Sequence, residues 1–291
     1  MWPIRSALFV PAHRPDWVGK AIRAAPGAVV LDIEDSVPPE AKPQAMAALG
    51  PAIGELRAAG VAAFVRINPM GEGTAAEIAA AMAPGLTAIV LPTAATPAEI
   101  ARLADLLSYH EGRVGLAHLA VAILPLPETA EGMLHAYDLA RASARVKGLH
   151  GAISGPVSGD FARAFGFRAT LEGSEQLYLA SKLVLDSRAA GAMYPIAGIF
   201  GTPIEDTAAA ERMIRRAKEI GYSGVAVMHP SHVAIAKAVY RPTAEEREYF
   251  QGMLDAFAAA EKAGLGAVRY QGAMVDYAML SLAREVLAEA E

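Results

Sequence analysis

Cysteine is absent from the 291-residue chain, which excludes disulfides, thiolate nucleophiles and cysteine-ligated metals together. Basic blocks are missing too. With 26 Lys+Arg against 31 Asp+Glu the net charge is −5, so a nucleic-acid surface is not expected. No charge-free apolar run approaches the roughly 20 residues that span a bilayer. The opening Met1-Trp-Pro-Ile-Arg5 lacks the cationic and apolar regions of a signal peptide. No GxGxxG follows the first apolar run, which disfavours a doubly wound dinucleotide fold. The seven histidines show no i,i+4 zinc pattern. These absences predict a cytoplasmic protein with neither nucleic-acid nor membrane partners.

What is present is a rhythm. Short apolar runs recur at Ala7 to Val10, Ala28 to Ile33, Ala63 to Ile67, Ala88 to Leu91, Leu119 to Leu124, Gly148 to Ile153, Ala192 to Ile199 and Gly224 to Met228. Amphipathic segments such as Ala75 to Ala83, Pro97 to Tyr109, Gly132 to Ala144 and Thr207 to Gly221 separate them. Eight strand-like runs, each followed by a helical one, are the arithmetic of a (β/α)8 TIM barrel. The barrel is expected over residues 1–242, with a C-terminal helical extension over 243–291.

One run ends in acid. Val29-Val-Leu-Asp-Ile-Glu-Asp-Ser36 places Asp32, Glu34 and Asp35 where a strand meets its loop. A helix cap explains one of them, but three crowded carboxylates point to a site that compensates their charge. Barrel catalytic groups sit at the carboxyl ends of strands. That rule nominates His13, the three acids, Arg66, Asn68, Glu128, Asp160 and His229. Acids converging from different strand ends suit a hard divalent cation with oxygen ligands. Glu128 and Asp160 are the expected metal ligands, with Asp32, Glu34 and Asp35 as candidates for holding the metal's waters.

These residues resemble a known family, the citrate lyase β-subunit-like group of the HpcH/HpaI aldolase superfamily. The resemblance rests on Arg5-Ser-Ala-Leu-Phe-Val-Pro11, Leu31-Asp-Ile-Glu-Asp-Ser-Val37, Val65-Arg-Ile-Asn-Pro69 and Pro127-Glu-Thr-Ala-Glu-Gly132. Met228-His-Pro230 and Pro242-Thr-Ala-Glu-Glu246 add a fifth match. The resemblance implies a stand-alone Mg²⁺-dependent lyase that cleaves or forms a 3-hydroxyacyl-coenzyme A such as citramalyl- or malyl-coenzyme A, giving an acyl-CoA and a 2-oxo acid. Mn²⁺ is an alternative ion. It further implies Glu128 and Asp160 as metal ligands, Arg66 facing the substrate carboxylate and developing enolate, and Asp35 beside them. Asp276, in Gln271-Gly-Ala-Met-Val-Asp276, resembles the acid that a neighbouring subunit's C-terminal lid supplies in a homotrimer or a dimer of trimers. Arg5, Arg14 and Lys20, with His13, are the candidates for substrate and coenzyme A anions.

Two departures stand out. The family's Phe-Gly pair before the second ligand is replaced by Ser154-Gly-Pro-Val-Ser-Gly159, two residues longer, and Pro127 replaces a β-branched residue. The alternatives are a class II pyruvate aldolase acting on a free 4-hydroxy-2-oxo acid, or a non-catalytic citrate lyase β-like binding subunit. His150 reads as a satisfied core histidine. The tail's apolar stripe, with Phe257, Met279, Leu280, Leu282, Val286 and Leu287, is expected to seek an adjacent protomer.

Overall fold

The computed structural model describes residues 2–288. Eight parallel strands form one sheet: β1 (Ser6–Pro11), β2 (Ala28–Asp32), β3 (Ala62–Arg66), β4 (Leu86–Leu91), β5 (Ala122–Pro125), β6 (His150–Ser154), β7 (Ile196–Phe200) and β8 (Gly224–Val227). Their order is β5-β4-β3-β2-β1-β8-β7-β6. Because β1 pairs with both β2 and β8, the sheet curls until β5 and β6 face each other. There the ladder thins to one bridge, Ile123 with Val146 just ahead of β6, where the Ile123 N–H donates to the Arg145 carbonyl at 2.9 Å. The result is a nearly closed α/β barrel of the TIM type.

The strands are apolar on both faces, as a parallel sheet covered by helices requires. Inside lie Ala28, Ala62, Ala88, Ala122 and Ala226, with Val30, Phe64, Val90, Leu124 and Ile196. Trp2 stacks between Phe64 and Tyr194, with ring centroids 5.7 and 5.8 Å away. The small alanines leave room for these larger rings, so the interior packs without a pore.

Two strand boundaries differ from expectation. β5 starts at Ala122 because Leu119 takes a left-handed φ of 64° in a turn whose N–H groups are drawn to the Glu111 carboxylate. β7 starts at Ile196 because Pro195 has no N–H for a ladder. The expected helix over 132–144 is broken into Ala130–Leu134 and Ala136–Arg141.

A fully buried ion pair stands beside the thin seam. Both Arg145 and Glu111 are 1% exposed. Arg145 Nη1 and Nη2 donate to the two Glu111 oxygens at 2.7 Å each, and also to the Val121 carbonyl and Ser108 Oγ. Burial raises the Glu111 pKa, but the guanidinium and two backbone N–H groups outweigh it and hold the carboxyl below its ordinary range. Arg145→Met is expected to lose about 3–5 kcal/mol, because it strands a buried carboxylate, and Arg145→Met with Glu111→Leu should regain much of that. Urea unfolding checks both, and a single-variant loss below about 1 kcal/mol would contradict the account.

Residues 238–291 make a second compact unit, distinct from 1–237. Its long helix, Ala244–Lys262, opens on a capping box between Thr243 and Glu246. The tail is not purely helical, which corrects the sequence expectation. An antiparallel hairpin, β9 (Ala267–Tyr270) and β10 (Ala273–Asp276), precedes the helix Tyr277–Ala288. Gln271 and Gly272 turn it at φ 44° and 89°, the pair of positive values a tight two-residue hairpin needs. Phe257 and Leu280 bury themselves within this unit, together with Met253, Val275 and Ala283. Of the expected stripe, Phe257 and Leu280 are therefore satisfied internally, Val286 and Leu287 are half-buried, and Met279 and Leu282 are exposed, as are Met274 and Tyr277 outside it. No helix among the described residues is long and apolar enough to cross a membrane.

Candidate active site

Parallel register sets the first part of the site. Asp32 is the β2 residue paired with Arg66 of β3, so both side chains emerge at the same level of the barrel mouth. Arg66 Nε and Nη2 donate to the two Asp32 oxygens at 2.7 Å each, and Nη1 lies 2.8 Å from Glu34 Oε2. Asp32 also accepts from the Glu34 N–H and from the Ser36 N–H and hydroxyl. Desolvation would raise the Asp32 pKa, yet Arg66 and Ser36 overcome it and keep the carboxyl below its ordinary value. Glu34 goes the other way, to about 7: burial leads, the charges of Asp35 and Asp32 add to it, and the pull of Arg66 falls short. The Arg66 guanidinium also lies 5.1 Å from the centroid of the Phe9 ring.

The second part is a cavity of about 420 Å³ lined by Asp35, Arg66, Glu128, His150, Asp160 and Phe161, among others. Glu128 follows β5, and its Oε1 accepts from the Thr93 N–H at 3.0 Å. Thr93 holds a φ of 46°, an uncommon conformation for a β-branched residue that aims this N–H into the site. Burial raises the Glu128 carboxyl to about 7, with the negative charges of Asp160 and Asp35 contributing and Thr93 and Arg66 opposing. Among the described residues no basic side chain forms an ion pair with it. Asp160 is half-exposed at the start of the short helix Asp160–Phe165 and pairs with Arg163 at 2.8 Å.

The longer loop before Asp160 does not carry it out of the cavity. Gly155 N–H donates to the Phe200 carbonyl at 2.8 Å and Val157 N–H to Gly201 at 3.1 Å, which ties the loop to the end of β7. A Cβ on Gly155 would sit 2.6 Å from the Gly201 oxygen, so only glycine permits that approach. Asp160 thus lines the same cavity as Glu128.

A neighbouring cavity of about 400 Å³ is lined by Pro11, Trp17, Lys20, Asp32, Arg66, Met228 and His229, among others. It shares Phe9, Arg66 and Met228 with the first. Lys20 is therefore at the site. Arg14 is committed to Asp16, at 3.0 and 2.8 Å, and lies over Trp17. Arg5 is not brought to the mouth: it precedes β1, at the opposite end of the barrel, and donates to the Ser223 carbonyl at 2.7 Å. His229 Nδ1 is occupied by Ser231. Asn68 braces β3 against Glu77 and the Ile33 carbonyl. Asp276 belongs to the second unit, where its Oδ1 accepts from the Ala278 N–H at 2.9 Å and caps the last helix.

His150 corrects a sequence expectation. It is buried, but neither ring nitrogen has a hydrogen-bond partner, and it lines the cavity instead of resting in a closed core. Sequence reading also passed over Phe9, Thr93 and Ser36. Of these only Ser36 carried a signal, as the hydroxyl closing the acidic run.

Residues 5–230 match the model of the HpcH/HpaI aldolase/citrate lyase family. The chain belongs to this family. It is 32% identical over 288 residues to a citrate lyase subunit beta-like protein of Deinococcus radiodurans, covering 98% of this chain and 96% of that one. Human mitochondrial citramalyl-CoA lyase is 26% identical, with 98% of this chain and 85% of the enzyme covered. The family member CitE of Mycobacterium tuberculosis, crystallised with magnesium, acetoacetate and coenzyme A, superposes with a TM-score of 0.77 at 26% identity, covering 100% of this chain and 99% of that one.

Proposed function

We propose that this family member is a Mg²⁺-dependent carbon–carbon lyase that cleaves, or forms, a 3-hydroxyacyl-coenzyme A of the citramalyl or malyl type. The observation that carries this reading is a half-buried Glu128 without a cation of its own, lining with Asp160 a cavity that Arg66 also lines. The donor set fits a hard cation: two carboxylates from separate strand ends, one pushed up to about 7 partly by the other's charge. Among the described residues no three acidic or imidazole groups form a complete metal cage, and Mg²⁺ commonly takes one or two carboxylates and keeps waters. Mn²⁺, with similar oxygen preferences, is expected to substitute. The magnesium in the mycobacterial relative supports the same reading.

In this proposal Glu128 and Asp160 hold the ion, and Asp35 orients its waters. The bound ion supplies Lewis acidity to the substrate's hydroxyl and carboxylate oxygens. Arg66, its plane fixed by Asp32 and Glu34, presents its remaining N–H groups to the substrate carboxylate and to charge that develops on the thioester oxygen. The adjoining cavity takes the thioester arm, with Lys20 toward the coenzyme's phosphates. An acid must then protonate the enolate carbon. Asp276 is proposed for that step, supplied by a neighbouring subunit of a trimer or a pair of trimers, whose closed symmetry lets each subunit give and receive one.

The test is a panel of 3-hydroxyacyl thioesters and free 4-hydroxy-2-oxo acids, assayed for release of pyruvate, glyoxylate or oxaloacetate. Coenzyme A-dependent release is expected, and cleavage of the free acids alone would instead make the protein an aldolase. In the same assay, co-expressed Arg66→Ala and Asp276→Ala chains should regain activity that neither has alone. No rescue in confirmed mixed oligomers, with Asp276→Ala fully active, would remove Asp276 from the mechanism.

A further inference from the structure

Among the described residues, His150 is the one polar side chain on the apolar side of the main cavity. It opens β6 opposite Ile196 of β7, and its ring meets Phe9 edge-on at 6.3 Å. Beside it the cavity wall is Phe9, Ala152, Gly198, Phe200 and Met228. A Cβ on Gly198 would come within 3.2 Å of His150 Cε1, so the absent side chain there is what makes space for the imidazole. The residue is 4% exposed and both its ring nitrogens are without partners. Burying such a group is costly unless something hydrogen-bonds to it, and an aliphatic residue would fill the place at no such cost.

We propose that His150 reads the substrate, making a hydrogen bond with an uncharged hydroxyl or carbonyl oxygen on the substituent that the 2-oxo acid carries beyond its reacting carbon. The inference rests on the lyase reading for the nature of that acid. A ligand anchored between Glu128, Asp160 and Arg66 fills the charged half of the cavity and sends its remaining substituent toward β6 and β7. A methyl group or hydrogen there leaves both imidazole nitrogens unmet. A hydroxyl meets one of them, since a neutral imidazole offers one donor and one acceptor. Burial and the nearby Arg66 charge hold the ring neutral, with its pKa pushed down to about 3, so an uncharged partner suits it better than an anion that calls for a cation. Within the citramalyl and malyl type of substrate, a hydroxylated analogue is therefore favoured over the parent thioesters, whose 2-oxo acid halves are pyruvate and glyoxylate.

Calorimetric titration of the full-length protein with Mg²⁺ tests this, using pyruvate and 3-hydroxypyruvate, which differ by one hydroxyl. The protein should bind 3-hydroxypyruvate roughly 10-fold or more tightly than pyruvate, and His150→Phe should bring the two within about twofold. His150→Gln, which restores a donor and an acceptor, should recover a preference. Imidazole ¹⁵N shifts of the unsubstituted protein supply a readout that does not depend on a variant folding: His150 should respond to 3-hydroxypyruvate and not to pyruvate. Equal binding of the two acids, a preference that survives in His150→Phe, or an indifferent His150 resonance would each overturn the inference while leaving the lyase reading intact. If neither acid binds in the presence of Mg²⁺, the lyase reading falls and the inference falls with it.

Discussion

Glu128→Gln is expected to cut turnover about 10³-fold or more, because it removes the charge of a proposed metal ligand, whose contribution to a Lewis-acid step would be several kcal/mol. The same variant should be more stable than the parent when no metal is present. The Glu128 carboxyl titrates near 7 in the folded protein against an ordinary 4.5, so folding is favoured while it is protonated, and that contribution is lost as pH rises from about 4.5 through 7. Above that range the ionised group costs up to about 3 kcal/mol, which glutamine does not pay. Mg²⁺ should raise the melting temperature of the parent at pH 8 and leave that of Glu128→Gln unmoved. Asp160→Ala should lose activity as well, with a smaller gain in metal-free stability because its carboxylate is half-exposed and already beside Arg163. A Glu128→Gln protein that keeps its Mg²⁺ response would move the ligand role to Asp35 or Glu34.

Arg66→Lys is expected to lose turnover by roughly 10²-fold or more although the charge is conserved, since a single ammonium cannot reproduce the planar set of N–H groups. The geometry makes the reason specific. Three nitrogens of Arg66 are committed to Asp32 and Glu34, which leaves the orientation of the remaining N–H groups determined by two buried carboxylates. Lysine would satisfy at most part of Asp32 and Glu34 and have no fixed direction for what is left. The loss should therefore appear mainly in kcat, with a melting temperature that also falls because Asp32 loses a partner. A near-normal kcat would reduce Arg66 to a distant steering charge.

How far the sequence could be read follows from which forces are local. Apolar runs punctuated by glycine and proline are local, and the eight strands fall on or within a residue or two of them, apart from the lead-ins at Leu119 and Ala192. The acids at the strand ends were legible for the same reason, because a parallel barrel sends every strand end to one face. Arg145 and Glu111 were not, since they lie 34 residues apart and nothing in either neighbourhood says that the other will arrive. The β9–β10 hairpin hid behind its brevity: four-residue strands between two long Ala- and Leu-containing helices give little alternation to detect. His150 was read as satisfied because a sequence shows that a histidine will be buried and not whether its neighbours are backbone carbonyls or an empty wall. Thr93 was invisible because a positive φ in a β-branched residue is imposed by packing against its own propensity.

The thin ladder between β5 and β6 has a consequence for the two proposed metal ligands. Glu128 is held from the β4 side, through Thr93, while the loop leading to Asp160 is held from the β7 side, through Phe200 and Gly201. The two carboxylates therefore sit at opposite ends of a single curled ribbon, like the halves of a clasp, and the distance between them is set by the accumulated twist of all eight strands. Among the described residues the main-chain ties across this seam are those of Ile123 with Arg145 and Lys147, so a change of curl around the ring alters that gap against two hydrogen bonds instead of a full strand ladder.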